Sequence, residues 1–309
     1  MLRYALQRVL MAVPVCLSVL TVVFVVVRVL PGDPAQAALG DNASQAAVQT
    51  VRTRLGLDAP LPIQYVNFLK DLLRGDFGTS MINGAPVRDQ IAYNLPYTLQ
   101  LMLAALSIGT VFGILAGTLS ARARDRFADY VVRILSVAGL CVPAFYLGIL
   151  LILVAGGELP TVGGGNSNNL RDVFAHLILP ATTLGLLMTA AVSRLTRSAV
   201  LNVLNLEFVR TARAKGLQER NVLFMHAVRP ALLPIVSLSG VWAVSLVGDS
   251  VTTEIVFSRP GLGKLIVGAM LQRDYTLVQS VMVVYSVLVV AINVCIDLAY
   301  GVIDPRARG

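Results

Sequence analysis

TLQLMLAALSIGTVFGILAGTLS, from Thr98 to Ser120, contains no charged side chain. A helix that crosses the hydrocarbon core of a bilayer needs about 20 predominantly apolar residues. Five more charge-free stretches follow the same pattern, at Val9–Val27, Ile134–Gly157, Leu177–Val192, Ala231–Gly248 and Tyr275–Ile296. The sequence therefore predicts an all-α integral membrane protein with six transmembrane helices.

The composition excludes a soluble globular protein. Hydrophobic residues make up 56% of the 309 residues and charged residues only 14%, whereas soluble domains contain about 25% charged residues. The formal net charge of +8 would indicate nucleic-acid binding in a soluble chain, but cationic cytoplasmic loops explain it in a membrane protein. We therefore expect membrane lipid, and no nucleic acid, as a partner.

Cysteine and histidine give no sign of a metal site. The three cysteines, Cys16, Cys141 and Cys295, lie inside apolar segments and form no CxxC pair, and His176 and His226 are far apart. Isolated buried thiols behave as small apolar groups, and a structural or catalytic zinc ion needs clustered ligands. The sequence therefore predicts no metal site and no catalytic residue.

Positive charges in the short loops predict the orientation in the membrane. Fifteen Lys and Arg residues fall in the terminal segments and in the loops after the second and fourth spans, against four in the short outer loops. Cationic short loops stay in the cytoplasm, so both termini are predicted to be cytoplasmic. Ala35-Gln36-Ala37 resembles a signal-peptidase site, but the apolar run before it exceeds the roughly 7 to 15 residues of a signal peptide, so we expect the first helix to be retained.

A long outer segment between the first two spans is predicted to be partly helical. Pro62 suits the first turn of a helix, apolar residues recur at helical spacing from Tyr65 onward, and Gly75 is typical of a helix C-cap. A second short helix is predicted over Ser44–Leu55. Two interpretations stay open, because these helices could pack on the membrane domain or could present Tyr65 and Phe68 to an external partner.

The loop between the fourth and fifth spans, residues 193–229, is long, basic and helix-like. Gly216 is predicted to divide it into two short helices. Val209, Ala212 and Ala214 give this loop a small apolar face beside several cations. Such a helix suits a groove on another protein, but its cations could equally lie on anionic headgroups, and the residues alone leave both interpretations open.

Several stretches resemble the membrane subunits of ATP-binding-cassette (ABC) importers, in particular the dipeptide, oligopeptide and nickel branch. TARAKGL, from Thr211 to Leu217, is similar to that branch's coupling motif, although Arg210 and Thr211 depart from the general pattern and Leu233-Pro234 lies further downstream. The other similar stretches, in matching order and spacing, are RVLPGDPA (28–35), GLDAPLPIQY (56–65), GDFGTS (75–80), NLPYTLQL (94–101), VFSRPGLGKL (256–265), RDYTLVQ (273–279) and DLAYGVIDPRAR (297–308). The resemblance spans almost the whole chain.

This resemblance implies a type I ABC importer permease fold and ATP-driven, binding-protein-dependent import of di- or oligopeptides across a bacterial cytoplasmic (inner) membrane. The implied partners are a second, homologous permease subunit in a heterodimer, two ABC ATPase subunits and an extracytoplasmic substrate-binding protein. The chain has no GxxxxGK[ST] loop, so we expect ATP and Mg²⁺ in the ATPase subunits and no cofactor on this chain. Nickel chelates, glutathione or haem are alternative substrates.

The resemblance also implies roles for particular residues. The ATPase-coupling residues would be Glu207, Arg210, Thr211, Ala212, Arg213, Ala214, Lys215, Gly216 and Leu217. Pro260 and Gly261 belong to the outer turn before the sixth span. They join Tyr65 and Phe68 as candidates for contact with the binding protein, although a plain structural turn explains them equally well.

Charged side chains near the spans mark candidates for the transport path. Asp249 lies close to Ser245 and other hydroxyl residues, Glu254 follows near the outer end of the fifth span, and Asp297 lies near the inner end of the sixth. Ionisable groups at mid-bilayer cost about 2.5 to 3.5 kcal/mol, so they face a path or a partner by default. We therefore predict path roles for Ser245, Asp249 and Glu254. Solvation at a shallow depth is the alternative, and it is preferred for Asp297.

Two other classes of membrane protein fit the chain less well. An ion-coupled secondary transporter would place paired charges near mid-bilayer, where these spans carry almost none. A rhomboid-type protease needs a G-x-S-G nucleophile, and residues 237–240 lack its first glycine. The predicted organisation is an N-terminal transmembrane helix (1–30), an extracytoplasmic segment (31–96), a permease domain (97–302) with its coupling loop at 194–229, and a cytoplasmic tail (303–309).

Overall fold

The structure, a computed structural model, describes residues 2–29, 36, 44–54, 56–155 and 157–303. These residues form helices and no β-strand, with one isolated bridge between Thr79 and Pro86. In chain order the helices are α1 (Leu2–Val29), α2 (Gln45–Arg54), α3 (Leu61–Leu73), α4 (Val87–Arg122), α5 (Phe127–Cys141), α6 (Ala144–Ala155), α7 (Leu170–Leu204), α8 (Glu207–Ala214), α9 (Arg229–Val256), α10 (Leu262–Leu271) and α11 (Tyr275–Ile303). A helical turn at Glu219–Asn221 and a π-helical segment at Val222–Val228 lead directly into α9.

Five of these helices are long and apolar enough to cross a bilayer, namely α1, α4, α7, α9 and α11. They contain the predicted first, second, fourth, fifth and sixth spans, so those predictions and the all-helical class are confirmed. Helices α4 and α7 have 36 and 35 residues and are therefore longer than a bilayer requires. Their additional turns carry the polar contacts described below.

The predicted third span is not one straight helix. Helices α5 and α6 meet at an angle of 110° across Val142 and Pro143, so the crossing predicted over Ile134–Gly157 is a bent pair of helices. Proline has no N–H to donate and its ring clashes with the preceding turn. It also favours an extended residue before it, and Val142 has φ −91° and ψ 124°. If the bent pair is one crossing, the total is six.

Small residues at four-residue spacing let α4 and α7 approach closely. A Cβ atom on Gly109 would lie 2.5 Å from Met188 Cβ, and one on Gly113 would lie 2.6 Å from Val192 Cβ. Both separations are too short for real contacts, so a side chain larger than that of glycine would push the helices apart. Close packing of this kind is typical of transmembrane helix pairs, and this pair lies at the centre of the largest hydrophobic core.

The outer segment packs on the membrane domain through α3 and α1. The two predicted outer helices are confirmed as α2 and α3, and Gly75 follows α3 with a φ of +72°. The hydroxyl of Tyr65 lies 2.6 Å from Thr21 Oγ1, and the Phe24 ring lies 5.3 Å from the Tyr65 ring and 5.6 Å from the Phe68 ring. Tyr65 and Phe68 are thus held against α1.

The beginning of α1 and the end of α11 lie side by side. Arg8 Nη1 is 3.3 Å from Asp297 Oδ2, and both side chains are partly exposed. This arrangement agrees with an even number of crossings, and it gives Asp297 an ionic partner near solvent. The predicted domain boundaries stay predictions, and the predicted tail lies outside the described residues beyond position 303.

Candidate coupling loop and transport path

Helix α8 carries most of the predicted coupling residues, just beyond the end of α7. Its first residue, Glu207, follows the last residue of α7 by three positions. Val209 is fully buried and Ala212 is only 6% exposed, and both pack against the end of α7 and the first residue of the π-helical segment. These contacts fix how α8 is oriented on the rest of the chain.

The surface that α8 presents to solvent differs from the predicted one. Val209 and Ala212 were expected on an outward apolar face, but residues three apart share one side of a helix and this side faces inward, so that expectation was wrong. Ala214 remains exposed. The exposed residues here are Glu207, Phe208, Arg210, Thr211, Arg213, Ala214, Lys215, Gly216 and Leu217. The outward surface is therefore more cationic than predicted, and it includes Phe208, which the sequence pattern did not single out.

Gly216 divides the loop, as predicted. Its φ of +77° lies in the left-handed region that residues with a Cβ atom avoid. Across this turn Arg213 Nη2 donates to Glu219 Oε1 at 2.8 Å. That hydrogen bond raises the pKa of the Arg213 guanidinium above its ordinary value. The ion pair therefore connects the end of α8 to the segment that leads into α9.

A buried ion pair that the sequence pattern did not reveal joins α5 to α7. Asp129 is fully buried and accepts hydrogen bonds from Arg197 Nε and Nη2, both at 2.6 Å. Ser120 of α4 donates to the same carboxylate at 2.5 Å. Three helices are thus tied together two turns before α7 ends. A lone carboxylate near an apolar helix is the signal that could have pointed to such a partner.

One face of α9 has no packing partner within the described chain. Val241, Ser245 and Thr252 are exposed at helical spacing, and a Cβ atom on Gly248 would meet nothing within 4 Å. Asp249 is half-buried beside them, and no hydrogen bond or ion pair joins its carboxylate to the described residues. We call these five residues the α9 open face. It brings together two predicted path residues, Ser245 and Asp249.

The third predicted path residue, Glu254, points elsewhere. It is fully buried and accepts hydrogen bonds from Thr98 Oγ1 at 2.6 Å, from the Gly263 N–H at 2.7 Å and from the Lys264 N–H at 3.1 Å. A carboxylate is favourable at the N-terminus of a helix, so Glu254 anchors the start of α10. In this conformation the carboxylate is inaccessible to a substrate, and the geometry gives no support to its predicted path role.

Two of the stretches that carry the family resemblance interlock around this carboxylate. The Gly261 N–H donates to Asn94 Oδ1 at 3.0 Å. Arg259 is fully buried, donates to Gln100 Oε1 at 3.1 Å and lies 5.4 Å from the centre of the Tyr97 ring. NLPYTLQL and SRPGLG therefore form one packed unit, which we call the outer clasp.

A second pair of stretches, GDFGTS and RDYTLVQ, is joined in a similar way. Ser80 Oγ donates to Asp274 Oδ2 at 2.5 Å, and Asp274 Oδ1 accepts the Leu277 N–H at 3.1 Å in the first turn of α11. These hydrogen bonds hold the two stretches together within the chain. Pro260 is half-buried and Gly261 buried in the outer clasp, so a contact with a binding protein stays a prediction for these two residues, as it does for Tyr65 and Phe68.

Two exposed features of the described chain bear on its function. Within the described ranges no group of three His, Cys, Asp or Glu side chains could hold a metal ion, and the three cysteines are free thiols. The two features that stand out are an exposed cationic helix on a fixed base and an open polar face on a membrane-crossing helix. The first suits contact with a moving partner, and the second suits passage of a polar solute.

Two family models together match the sequence along its whole length. The family described as "Binding-protein-dependent transport system inner membrane component" matches residues 90–309, and "Binding-prot-dependent transport system membrane comp, N-term" matches residues 1–102. The glutathione transport system permease protein GsiC of Pectobacterium atrosepticum is 40% identical over 311 residues, covering 100% of this chain and 99% of that protein. The oligopeptide transport system permease protein AppB of Bacillus subtilis is 40% identical over 313 residues, covering 99% of each chain.

The fold has a counterpart among solved structures. The MetNI methionine ABC transporter in an inward-facing conformation contains a chain that superposes with a TM-score of 0.55 at 19% identity, covering 69% of this chain and 96% of that chain. This likeness supports the type I importer fold. The family match excludes the alternative of an ion-coupled secondary transporter. The chain therefore belongs to the family of binding-protein-dependent transport system inner membrane components, and it is a non-catalytic, multi-pass permease subunit of a bacterial ABC importer that works with ATPase and substrate-binding subunits.

Proposed function

We propose that this permease forms one half of an import path for di- or oligopeptides and that a similar but different permease supplies the other half. The names of the relatives support a peptide substrate, because one transports oligopeptides and glutathione is itself a tripeptide. Nickel chelates and haem are the other substrates to test. The α9 open face supports the paired arrangement, since a half-buried carboxylate facing lipid would be costly.

The coupling role is supported mainly by the way α8 packs on the rest of the chain. Its inward side is fixed by Val209 and Ala212, while the residues on its outward side are exposed. A helix held in this way can receive a push from an ATPase subunit and pass it to α7 and α9. In this proposal ATP and Mg²⁺ are bound by the ATPase subunits and none by this chain.

The ATPase subunits must also favour one permease conformation energetically. A partner that contacts both conformations equally well moves nothing, however tightly it binds. Closure of the ATPase pair would shift α8, and the bent and straight crossings would then rock as a body to expose the path on alternate sides. Both termini and α8 lie on the cytoplasmic side in this scheme, in agreement with the distribution of cations.

Cysteine crosslinking tests the contact between α8 and an ATPase subunit. In a background from which Cys16, Cys141 and Cys295 are removed, Ala214→Cys should crosslink to a cysteine introduced near the permease-facing groove of the ATPase. Ala212→Cys is the matched control, because it lies two residues away and faces inward. Equal crosslinking at both positions, or labelling of Ala214→Cys by an impermeant thiol reagent from outside the cell, would refute the proposed contact.

Transport in proteoliposomes tests the energy source and the substrate. The complete complex should accumulate labelled dipeptide or oligopeptide when the ATPase subunits have ATP and the binding protein is present on the other side. An ion gradient alone should drive no uptake. Competition by glutathione, a nickel chelate and haem would then rank the substrate classes, and a preference for nickel or haem over every peptide would overturn the peptide proposal while leaving ATP coupling intact.

A further inference from the structure

Helix α5 has a fixed orientation on α7. Asp129 bonds to Arg197, and seven residues later Ser136 Oγ lies 2.8 Å from Ser193 Oγ. Residues seven apart share one side of a helix. These two contacts therefore turn one side of α5 toward α7 and leave the opposite side directed away from the chain.

That opposite side is apolar and exposed. Phe127, Tyr130, Ile134 and Val137 are 84%, 50%, 66% and 54% exposed. Their spacings of three and four residues place them along one stripe of the helix. We call this stripe the α5 outer stripe. It belongs to the bent pair of helices α5 and α6, which together are long and apolar enough to form one broken membrane crossing.

Cations surround the beginning of the α5 outer stripe. Arg124 and Arg126 precede the helix, and the Arg133 guanidinium lies 5.7 Å from the centre of the Tyr130 ring. Two carboxylates are close in sequence. Asp125 pairs with Arg124 at 3.3 Å at an exposed position, where such a pair contributes little, and the carboxylate of Asp129 is buried against Arg197. The surface is therefore positively charged where the apolar stripe begins.

We infer that this corner of the permease binds the anionic headgroups of phospholipids in the adjacent leaflet. Aromatic residues with a polar tip favour the membrane–water interface, and cations beside a membrane helix attract anionic lipids. Here both features occupy the same turn of one helix. A protein partner is the less favoured occupant, because the stripe runs without interruption from the cations into the lipid-facing part of the crossing.

Photocrosslinking from position 127 tests this inference. The complete complex, with benzoylphenylalanine in place of Phe127, is placed in nanodiscs that contain equal amounts of phosphatidylglycerol and phosphatidylcholine. Crosslinked lipid is then identified by mass spectrometry. Because each juxtamembrane cation is worth about a fivefold preference for an anionic lipid, phosphatidylglycerol should dominate the adducts. The combined change of Arg124→Gln, Arg126→Gln and Arg133→Gln should abolish that preference while lipid is still labelled.

An arginine far from the α5 outer stripe provides the control. Arg74→Gln, at an exposed outer position after α3, should leave the preference unchanged, and all four arginines are exposed, so these substitutions should leave folding intact. Equal labelling of the two lipids in the unsubstituted complex would overturn the inference. Crosslinks mainly to an ATPase or permease subunit would also overturn it and would identify the stripe as a protein interface.

Discussion

Arg197 and Asp129 are 68 residues apart in sequence, yet two of the guanidinium nitrogens each lie 2.6 Å from a different carboxylate oxygen. This two-point contact is among the strongest arrangements available to charged side chains. It ties the first turns of α5 to α7, which leads within two turns to α8. A displacement of α8 that moves the end of α7 must therefore also move α5.

Replacing Asp129 by alanine should destabilise the protein and weaken coupling. The change leaves Arg197, which is 21% exposed, without its anion, and breaking a buried pair costs about 3 kcal/mol. Thermal or denaturant unfolding of the purified chain in detergent measures the loss. Asp125→Ala is the matched control, because its ion pair is exposed and should be worth less than about 1 kcal/mol.

The double variant Asp129→Ala/Arg197→Ala separates the pair from its two members. Removing both charges relieves the unpaired guanidinium, so the double variant should be less destabilised than the sum of the single changes. Additive losses would mean that the two side chains act independently, contrary to the observed geometry. If stability recovers but ATP hydrolysis and uptake stay uncoupled, the link between α5 and α7 serves mechanics as well as folding.

The outer clasp predicts a severe effect for a very small change, Gly261→Ala. The new Cβ atom would collide with the Glu254 carboxylate, which holds the start of α10 through two backbone N–H groups. Overpacking of this kind costs about 1 to 3 kcal/mol, and the thermal midpoint should fall accordingly. In Gly268→Ala the new atom meets nothing within 4 Å, so this control in α10 should be neutral or slightly stabilising.

The features that depend on local sequence patterns were predicted correctly. Apolar runs of bilayer length located five crossings, and Pro62 and Gly75 bounded α3. The left-handed turn at Gly216 followed from the absence of a Cβ atom. The bend at Pro143 was missed because proline is tolerated inside many membrane helices, and α1, α4, α7 and α9 each continue past an internal proline. Composition alone does not tell which proline will break its helix.

The features that were predicted wrongly depend on contacts between residues that are far apart in sequence. Glu254 was expected in the path because a charge near a span is costly, but its cost is offset by Thr98, 156 residues away, and by the N-terminal turn of α10. Val209 and Ala212 were expected to face a partner, but the end of α7 and the residue Val222 cover them. No local pattern reveals which of two available surfaces will cover a small apolar face.

Gly216 should be sensitive to substitution for conformational and not for steric reasons. A Cβ atom there meets nothing within 4 Å, but a φ of +77° costs a residue such as alanine about 1 to 2 kcal/mol. We expect Gly216→Ala and Gly216→Val to insert normally and to raise the ratio of ATP hydrolysed to peptide transported. Asn tolerates this conformation better, so Gly216→Asn should keep more coupling. Unchanged uptake by Gly216→Val would contradict a coupling role for this turn.

Thiol accessibility should distinguish the α9 open face from the packed side of the same helix. In the cysteine-free complex, Gly248→Cys should react with a hydrophilic thiol reagent, and the transported peptide should slow that reaction. Ala243→Cys, which is only 6% exposed, should react slowly whether peptide is present or not. If Gly248→Cys reacts only with a lipid-soluble reagent, the α9 open face lies against lipid and not on an aqueous path.

Loss of charge at Asp249 should mainly reduce peptide uptake, whereas loss of charge at Glu254 should mainly reduce stability. Asp249→Asn removes no hydrogen bond within the described chain, so we expect its stability to stay within about 0.5 kcal/mol of the parent. Its peptide uptake should fall about 10- to 100-fold if the carboxylate binds a charged group of the substrate, because such a hydrogen bond is worth roughly 1.5 to 3 kcal/mol. Glu254→Ala leaves the Gly263 and Lys264 N–H groups unpaired, so it should unfold more easily than Asp249→Asn. Full uptake by Asp249→Asn would remove that carboxylate from the path, and a Glu254→Ala protein as stable as the parent would show that the outer clasp does not depend on its anion.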